Sequence, residues 1–290
     1  MKRQLVIVHI MILCIPGFFS VVNAADAAED SVYNKYPNSL LLRTRTAATY
    51  PSGLHVFTWV GQYQDYTERR NPITGKMEDI PSDMERKLFT STFWWEYGVT
   101  NRFQIGVNTP LISRTFEQKS TGLDDSETGM GDISLYSKYK IASETEWLPA
   151  VTVDGFLKLP TGDTSKGMSN DETDGTLGTS LSKRWDAVSF HVNPEYTFTG
   201  GHYSDIGAAA DDRFRLNCGV LWHATDYLLP SLEWNGMWWG DVGDQQEVGG
   251  GILWFPAKNV SVKLAVAFPI DSDVPWESDR SYWIKVATWF

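Results

Sequence analysis

Apolar and polar side chains alternate in segments of about ten residues that recur along the chain from Leu54 onward. A period of two puts successive side chains on opposite faces, so each segment predicts a β-strand with one apolar and one polar face. No helical periodicity of useful length accompanies them. The predicted strands cover residues 54–63, 88–99, 103–111, 133–141, 151–159, 177–183, 188–198, 214–222, 228–238, 248–254, 260–268 and 282–290.

Short and long connections alternate between these segments. The long ones are rich in Asp, Glu, Gly, Ser and Thr, and they cover residues 64–86, 114–129, 161–174, 199–212, 240–247 and 269–280. In bacterial outer-membrane barrels the short turns face the periplasm and the long loops face outside. The pattern therefore predicts an all-β fold, a transmembrane antiparallel β-barrel of about 12 strands with short periplasmic turns and long extracellular loops.

The polar faces of the predicted strands carry charged side chains. Charge is costly in hydrocarbon, so these faces are predicted to point into the lumen. The five candidates between residues 132 and 158 fall on two neighbouring strands, where they could form ion pairs across the wall or contact a solute. The lumen-facing candidates are Glu96, Asp132, Lys138, Lys140, Asp154, Lys158, His191, Glu195, Arg213, Arg215, Lys263 and Lys285.

The N-terminal residues have the pattern of an export signal. Lys2 and Arg3 precede an apolar run from Leu5 to Ile15, and residues 22–24 fit a small-x-small cleavage site. We therefore predict that residues 1–24 are a cleaved signal peptide that directs the chain toward the outer membrane. Residues 25–52 are polar and irregular, and they are interpreted as a periplasmic lead that is either disordered or enters the barrel from below. The barrel is predicted to occupy residues 53–290.

The last ten residues alternate strictly and end on an aromatic side chain, with Tyr282 and Phe290 on one face. This segment resembles the closing strand of bacterial outer-membrane barrels, in which the terminal aromatic strand is read by the insertion machinery. The resemblance implies that Tyr282 and Phe290 form an assembly signal, and that membrane lipids and this machinery are partners. Pairing of this strand with the first one, near Leu54, would remove both edges of the sheet.

Composition narrows the classes of partner. The chain holds 25 Lys and Arg against 36 Asp and Glu, a formal net charge of −11, which argues against nucleic acid. Its 13 Trp, 12 Tyr and 14 Phe suit girdles at two membrane interfaces, although a soluble sandwich with an aromatic core has the same composition. Dispersed histidines and the lack of a phosphate-cradling glycine loop predict neither a metal site nor a cofactor.

Two motifs stand at neighbouring strand ends. Gly129-Met130-Gly131-Asp132 begins one strand, and Lys158-Leu159-Pro160-Thr161-Gly162-Asp163 ends the next. Pro160 has no N–H to donate to a ladder and Gly162 permits a turn, so their direct reading is structural. Together with Thr46-Ala47-Ala48-Thr49-Tyr50-Pro51-Ser52-Gly53, they resemble the outer-membrane family named for the meta-pathway of phenol degradation. The resemblance implies a transporter of hydrophobic or aromatic compounds, but no plug of apolar helices is predicted at the N-terminus.

Three functions are compatible with this sequence. The leading hypothesis is passage of small hydrophobic or aromatic solutes along a lumen lined by Lys138, Lys158, Arg213 and Arg215. A second is a structural or adhesive barrel that acts through acidic extracellular loops, such as residues 124–127 and 205–212. The third is a lipid hydrolase that uses polar residues of segment 188–198.

The hydrolase hypothesis depends on a row of four residues on one strand face. Ser189, His191, Asn193 and Glu195 could supply a nucleophile, a base and an orienting group. However, they fall on a predicted lumen face, whereas the active sites of barrel lipases face the lipid. No Gly-x-Ser-x-Gly elbow occurs either. We therefore do not predict an enzyme.

Overall fold

A computed structural model describes residues 43–70, 77–200, 212–240, 243–274 and 276–290. The predicted signal peptide and residues 25–42 of the predicted lead lie outside these ranges. The strands are β1 (His55–Arg70), β2 (Met77–Asp79), β3 (Met84–Thr100), β4 (Phe103–Gln118), β5 (Leu123–Met130), β6 (Ser134–Ala142), β7 (Ala150–Lys158), β8 (Asp174–Trp185), β9 (Val188–Phe198), β10 (Arg213–Trp222), β11 (Leu228–Trp239), β12 (Gly243–Ala257), β13 (Val260–Ser272) and β14 (Trp276–Trp289).

Twelve of these strands form a closed antiparallel barrel, which confirms the predicted fold class. Neighbours in the ring follow chain order, and the ring closes where β14 pairs with β1, with Val56 opposite Trp289. The predicted partnership of the first and last strands is therefore confirmed. The remaining two strands extend the wall beyond the membrane, since β2 pairs with the far end of β1 and β5 with the far end of β4.

Several strands are longer than the alternating pattern predicted. β1 continues to Arg70 and β3 begins at Met84, so much of the predicted loop 64–86 is strand. The predicted loop 114–129 contains the end of β4 and nearly all of β5. Outside the hydrocarbon a strand needs no apolar face, so the pairing persists where the sequence pattern has stopped. The wall therefore projects above the membrane on the side of the long loops.

The outer face of the ring is apolar. Phe93, Leu232 and Leu264 are each more than half exposed, and all three occupy the faces that alternation assigned to lipid. Trp185, Trp222 and Tyr227 are also exposed beside the short turns, at the depth of an interfacial aromatic girdle. No helix within the described ranges is long and apolar enough to cross a membrane.

The buried interior is mostly polar, with one apolar exception at the end that carries the short turns. There Val56, Leu221, Leu229 and Leu253 are at most 3% exposed. They pack together with Tyr50, Phe255 and Trp289, and we call this cluster the apolar floor. The floor fills the periplasmic end of the lumen with side chains, as a narrow barrel allows.

Candidate functional site

Residues 43–50 run through the interior of the barrel, and we call them the strap. They belong to no strand, and side chains of the wall accept hydrogen bonds from five of their backbone N–H groups. The amides of Arg43 and Thr44 donate to the Glu233 carboxylate at 3.0 and 3.1 Å. The amide of Ala47 donates to the Ser182 hydroxyl at 2.7 Å. Side chains of the wall thus provide hydrogen-bond acceptors that the backbone of a neighbouring strand provides in a β-sheet.

Arg45 anchors the middle of the strap. Its guanidinium lies 2.8 Å from the Glu195 carboxylate and 3.7 Å from that of Asp154, and its carbon stands 4.9 Å from the centre of the Phe156 ring. Its own backbone N–H donates to the Asn193 side-chain oxygen, and its carbonyl accepts from the Asn193 amide at 2.9 Å. Ion pairs of the side chain and hydrogen bonds of the backbone therefore both hold Arg45 in place.

Lys138, on β6, binds carbonyl groups of the strap. Its ammonium donates to the carbonyl oxygens of Thr46 and Ala48 at 2.6 and 3.2 Å, and it lies 3.8 Å from Asp154. Since the ammonium is buried, these acceptors replace the water that it has lost. Lys138 is therefore a fixed cross-link between the wall and the strap.

The strap ends at Tyr50, which joins it to the apolar floor. The Tyr50 hydroxyl donates to Glu96 at 2.9 Å, and its amide donates to the side-chain oxygen of Gln104 at 3.0 Å. The sequence left two alternatives for residues 25–52, a disordered lead or a segment that enters the barrel from below. Residues 43–50 lie in the lumen, in agreement with the second.

The strap borders a chamber of about 460 Å³, whose lining reaches from Thr58 and Gln104, near the short turns, to Lys158 and Asp174, beside the long loops. An aromatic cluster forms part of its wall, because the rings of Trp94, Tyr136 and Phe156 stand 4.6 to 6.4 Å apart, centre to centre. The strap contributes Arg43, Arg45 and Tyr50 to the boundary. The volume lies in the range of small-molecule pockets. The chamber can therefore enclose a compound of one or two rings.

The chamber lining carries seven cationic side chains and three carboxylates. Seven predicted lumen-facing residues belong to it: Glu96, Lys138, Lys158, Glu195, Arg213, Arg215 and Lys285. Four others are buried deeper inside the ring: Lys140, Asp154, His191 and Lys263. The predicted row is therefore divided between an accessible chamber and a packed lower interior.

Asp132 differs from the other candidates because it joins the two sequence motifs. It lies between β5 and β6. Leu111 of β4 pairs with Met130 and Asn108 of β4 pairs with Ser134, so segment 130–134 has one residue more than the part of β4 that it faces. Its carboxylate accepts from the amides of Thr161 and Gly162 at 3.1 and 2.9 Å. The two motifs therefore form one bracket at the extracellular rim.

Lys158 connects this bracket to the next strand. Its ammonium lies 3.3 Å from Asp132 and 3.1 Å from Asp174, and it donates to the Asn170 side chain at 2.5 Å. In the loop that follows, the Ser165 hydroxyl donates to the Asp163 carboxylate at 2.6 Å and lowers the pKa of that carboxyl. Ion pairing across two strands, one of the two roles considered for these residues, is present at this position.

The Ser189–His191 row lies in the packed lower interior. Nε2 of His191 is 3.1 Å from the Ser189 hydroxyl, and Nδ1 is 2.8 Å from that of Ser182. All three residues are at most 1% exposed, so neither lipid nor a solute in the chamber touches them. In the described part of the chain, no group of three or more His, Cys, Asp or Glu side chains could hold a metal ion.

Some residues of the site were missing from the predicted set. Tyr136 and Phe156 share strand faces with Lys138 and Lys158, so parity could have included them. The same holds for Glu233, which lies opposite the apolar face of the predicted strand 228–238. Arg43 and Arg45 carried no comparable signal, because no strand pattern places the strap inside the barrel.

Comparison with known proteins identifies the family. A family model described as "Putative MetA-pathway of phenol degradation" matches residues 111–279, which is more than half of the chain. The chain belongs to this family. The match includes both motifs of the rim bracket, whereas the strap precedes it. Among curated proteins, none matches the sequence.

Solved structures show the same fold at low sequence identity. An outer membrane channel from Pseudomonas putida F1 superposes with a TM-score of 0.72 at 11% identity, covering 86% of this chain and 100% of that one. The NanC porin superposes with a TM-score of 0.51, also at 11% identity, covering 80% of this chain and 98% of that one. This family member therefore has the barrel architecture of outer-membrane channels, and its apolar outer face places it in that membrane.

Proposed function

We propose that this protein carries small aromatic solutes across the outer membrane, with the chamber as the binding compartment on the route. A chamber of about 460 Å³ that the strap borders, partly walled by Trp94, Tyr136 and Phe156, is the observation that carries the proposal. Aromatic rings on a protein wall favour planar aromatic ligands through offset and edge-to-face contacts. The barrel type agrees with this function, since it is that of outer-membrane channels.

Passage to the periplasm requires the strap to shift. The strap lies beside the chamber and the apolar floor fills the periplasmic end of the lumen, where residues such as Leu221, Leu229 and Lys263 are at most 1% exposed. Polar side-chain contacts hold the strap, and each contributes about 1 kcal/mol net, so limited displacement is accessible to thermal motion. The protein then acts as a gated carrier of single solutes and not as a wide pore.

We assign no catalytic step to this protein. The Ser189–His191 pair is enclosed below the chamber, and a substrate would have to displace the strap to reach it. We also infer that Tyr282 and Phe290 address the barrel to the insertion machinery, an inference that rests on their resemblance to closing strands of this class.

Filling the chamber is the direct test of transport. In porin-deficient cells that produce the full chain, uptake of radiolabelled benzyl alcohol should exceed that of cells without it. Thr92→Trp places an indole into the chamber, since Thr92 lines it, and should return uptake to background. Ser137→Trp is the matched control, because Ser137 lies on the apolar outer face of β6 and the same indole would then face lipid.

Two results would contradict the proposal. One is uptake by Thr92→Trp equal to that of the unaltered protein although the variant assembles, because the chamber would then not lie on the route. The other is uptake no higher than background for the unaltered barrel, verified in the membrane by heat-modifiable migration on a denaturing gel.

A further inference from the structure

We infer that the chamber selects small aromatic anions, with aryl carboxylates as the best-fitting class, over neutral aromatic compounds of the same shape. This inference rests on the proposed function, because it names the class of solute that the same chamber takes. It is carried by two neighbouring arginines on β10 that have no carboxylate within 4.0 Å in the described ranges, by the pairing of Glu195 with the strap, and by the aromatic wall.

Arg213 and Arg215 project into the chamber from the same face of β10. Within the described ranges, neither guanidinium has a carboxylate within 4.0 Å. The Arg213 guanidinium stands over the Trp239 ring at 5.7 Å, and that of Arg215 reaches the Met237 sulfur at 3.6 Å. Nε of Arg215 is buried and donates no hydrogen bond to the described residues. A guanidinium whose Nε is buried without an acceptor is stabilised when an anion binds it.

The expected partner of Arg215 is already engaged. Glu195 lies directly opposite Arg215 in the β9–β10 ladder, where an ion pair would normally form. Instead, its carboxylate binds the strap residue Arg45 at 2.8 Å and accepts from Asn217 at 3.1 Å. Because Glu195 forms its ion pair with Arg45 of the strap, Arg215 has no carboxylate within 4.0 Å in the described ranges. This part of the chamber wall is therefore positively charged.

Arg43 and Lys158, two other cations of the chamber, lie close to carboxylates. Arg43 lies 2.9 Å from Glu247, and Lys158 is held by Asp132 and Asp174. The third carboxylate of the lining, Glu96, accepts the Tyr50 hydroxyl and the side-chain amide of Gln104. On β10, by contrast, two neighbouring cations have no carboxylate within 4.0 Å in the described ranges, although the whole chain carries a net charge of −11. A planar carboxylate fits a guanidinium with two parallel hydrogen bonds, which a neutral amide or alcohol cannot reproduce.

The remaining wall supplies the aromatic part of the preference. Trp94, Tyr136 and Phe156 offer ring faces and edges to the same space. Trp283 also lines it, and its indole N–H is buried without a hydrogen-bond acceptor in the described structure. A ligand with an aromatic ring against the aromatic cluster and a carboxylate at the arginines of β10 would bind both the aromatic and the charged part of the wall. An aliphatic carboxylate would satisfy only one.

The test compares benzoate with benzamide, which has the same shape and no charge. Calorimetric titration of the detergent-solubilised full chain should show benzoate binding roughly tenfold more tightly or better, as expected for a charge-assisted hydrogen-bonded pair. Arg215→Gln should remove most of this preference and leave benzamide binding unchanged, whereas Arg215→Lys should retain part of it. Lys258→Gln is the matched control, since it removes one positive charge from an exposed turn on β12–β13.

Flux through proteoliposomes separates this inference from the proposed function. Faster entry of benzoate than benzamide, abolished in Arg213→Gln/Arg215→Gln, supports both. Entry of benzamide with exclusion of benzoate, or equal binding of the two compounds, overturns the anion preference and leaves transport intact. Entry of neither compound would count against transport itself, and the binding titration would then still decide whether the chamber prefers anions. Heat-modifiable migration verifies that each variant is folded.

Discussion

Asn193 pairs with Arg45 as one strand pairs with another, because its side-chain amide bonds both the backbone N–H and the backbone carbonyl of that residue. The next residue along β9 is Pro194, which has no N–H, and the β8–β9 ladder omits the pairs between residues 178 and 181 on β8. The strap is thus attached where the wall itself is incompletely paired. This relationship makes Asn193 the most direct point at which to loosen the strap.

Asn193→Ala should raise the permeability of the barrel. Two hydrogen bonds contribute about 2 kcal/mol together, so the population of displaced strap should rise roughly thirtyfold. Single-channel conductance in planar bilayers would report this as more frequent open events. Asn235→Ala is the control, since Asn235 is a buried lumenal amide on β11 with no side-chain hydrogen bond in the described part of the chain. Equal opening of the two variants would refute the clamp.

Arg45→Met should destabilise the folded barrel more than Glu195→Gln does. Removing the guanidinium leaves Glu195 and Asp154 buried with one fewer counter-ion, a loss of about 3–5 kcal/mol. In the double variant Arg45→Met/Glu195→Gln, part of this loss should return, because one orphaned charge is also removed. Urea unfolding in detergent, arranged as a double-mutant cycle, measures the coupling. Additive effects would show that the pair does not act as a unit.

Gly98→Ala should displace the chain at the C-terminal end of the strap. A Cβ at Gly98 would stand 2.0 Å from the carbonyl oxygen of Pro51, so the chain just after the strap must move away from the wall. Overpacking of this kind costs about 1–3 kcal/mol, and it should lower the temperature at which the heat-modifiable form is lost. At Gly175 a Cβ meets no atom within 4 Å, so Gly175→Ala is the matched substitution and should have little effect.

Asp132→Ala should open the rim bracket. Without the carboxylate, the amides of Thr161 and Gly162 lose their acceptor and should exchange hydrogen for deuterium faster. Asp132→Asn retains an acceptor oxygen and should stay closer to the unaltered rate, although its ion pair with Lys158 is gone. Asp124→Ala, on the exposed face of β5, provides the comparison. Unchanged exchange in Asp132→Ala would mean that the bracket is held by its other contacts.

Phe290→Ala should reduce assembly without reducing export. The Phe290 ring stacks on Phe57 with 5.7 Å between centres, and its backbone exchanges two hydrogen bonds with His55. The fraction of membrane-inserted protein with heat-modifiable migration should fall, while signal-peptide cleavage proceeds at the same rate. Phe198→Ala removes another exposed outer ring, at the other rim, and serves as the control. Normal insertion of Phe290→Ala would remove the assembly role from this residue.

The barrel could be predicted from sequence because its rule is local. Alternation with a period of two fixed the face of each residue, and pairing then placed Lys138 opposite Asp154 across β6 and β7. The same rule could not find β5, whose residues above the membrane have no reason to alternate in polarity. Strand ends were underestimated for this reason too.

The chamber could not be predicted in the same way, because the strap that bounds it has no periodic pattern. Arg43 meets Glu233 at a sequence separation of 190, and Arg45 meets Asn193 at 148. Contacts of this kind depend on which side chains the closed ring brings to one level, and that is a property of the assembled tertiary structure. The availability of Arg215 depends in turn on the strap, since Arg45 occupies Glu195.

The seam between β1 and β14 sets an order on folding. The strands that meet there are the first and the last of the wall, so the ring cannot close before the final strand is present. The strap lies immediately before β1 and is surrounded by wall on every side. We therefore expect the strap to take its place while the seam is still open, with its polar groups bound to the strands that are already paired. A late-closing seam would then give the strap a role in assembly in addition to the gating proposed for it.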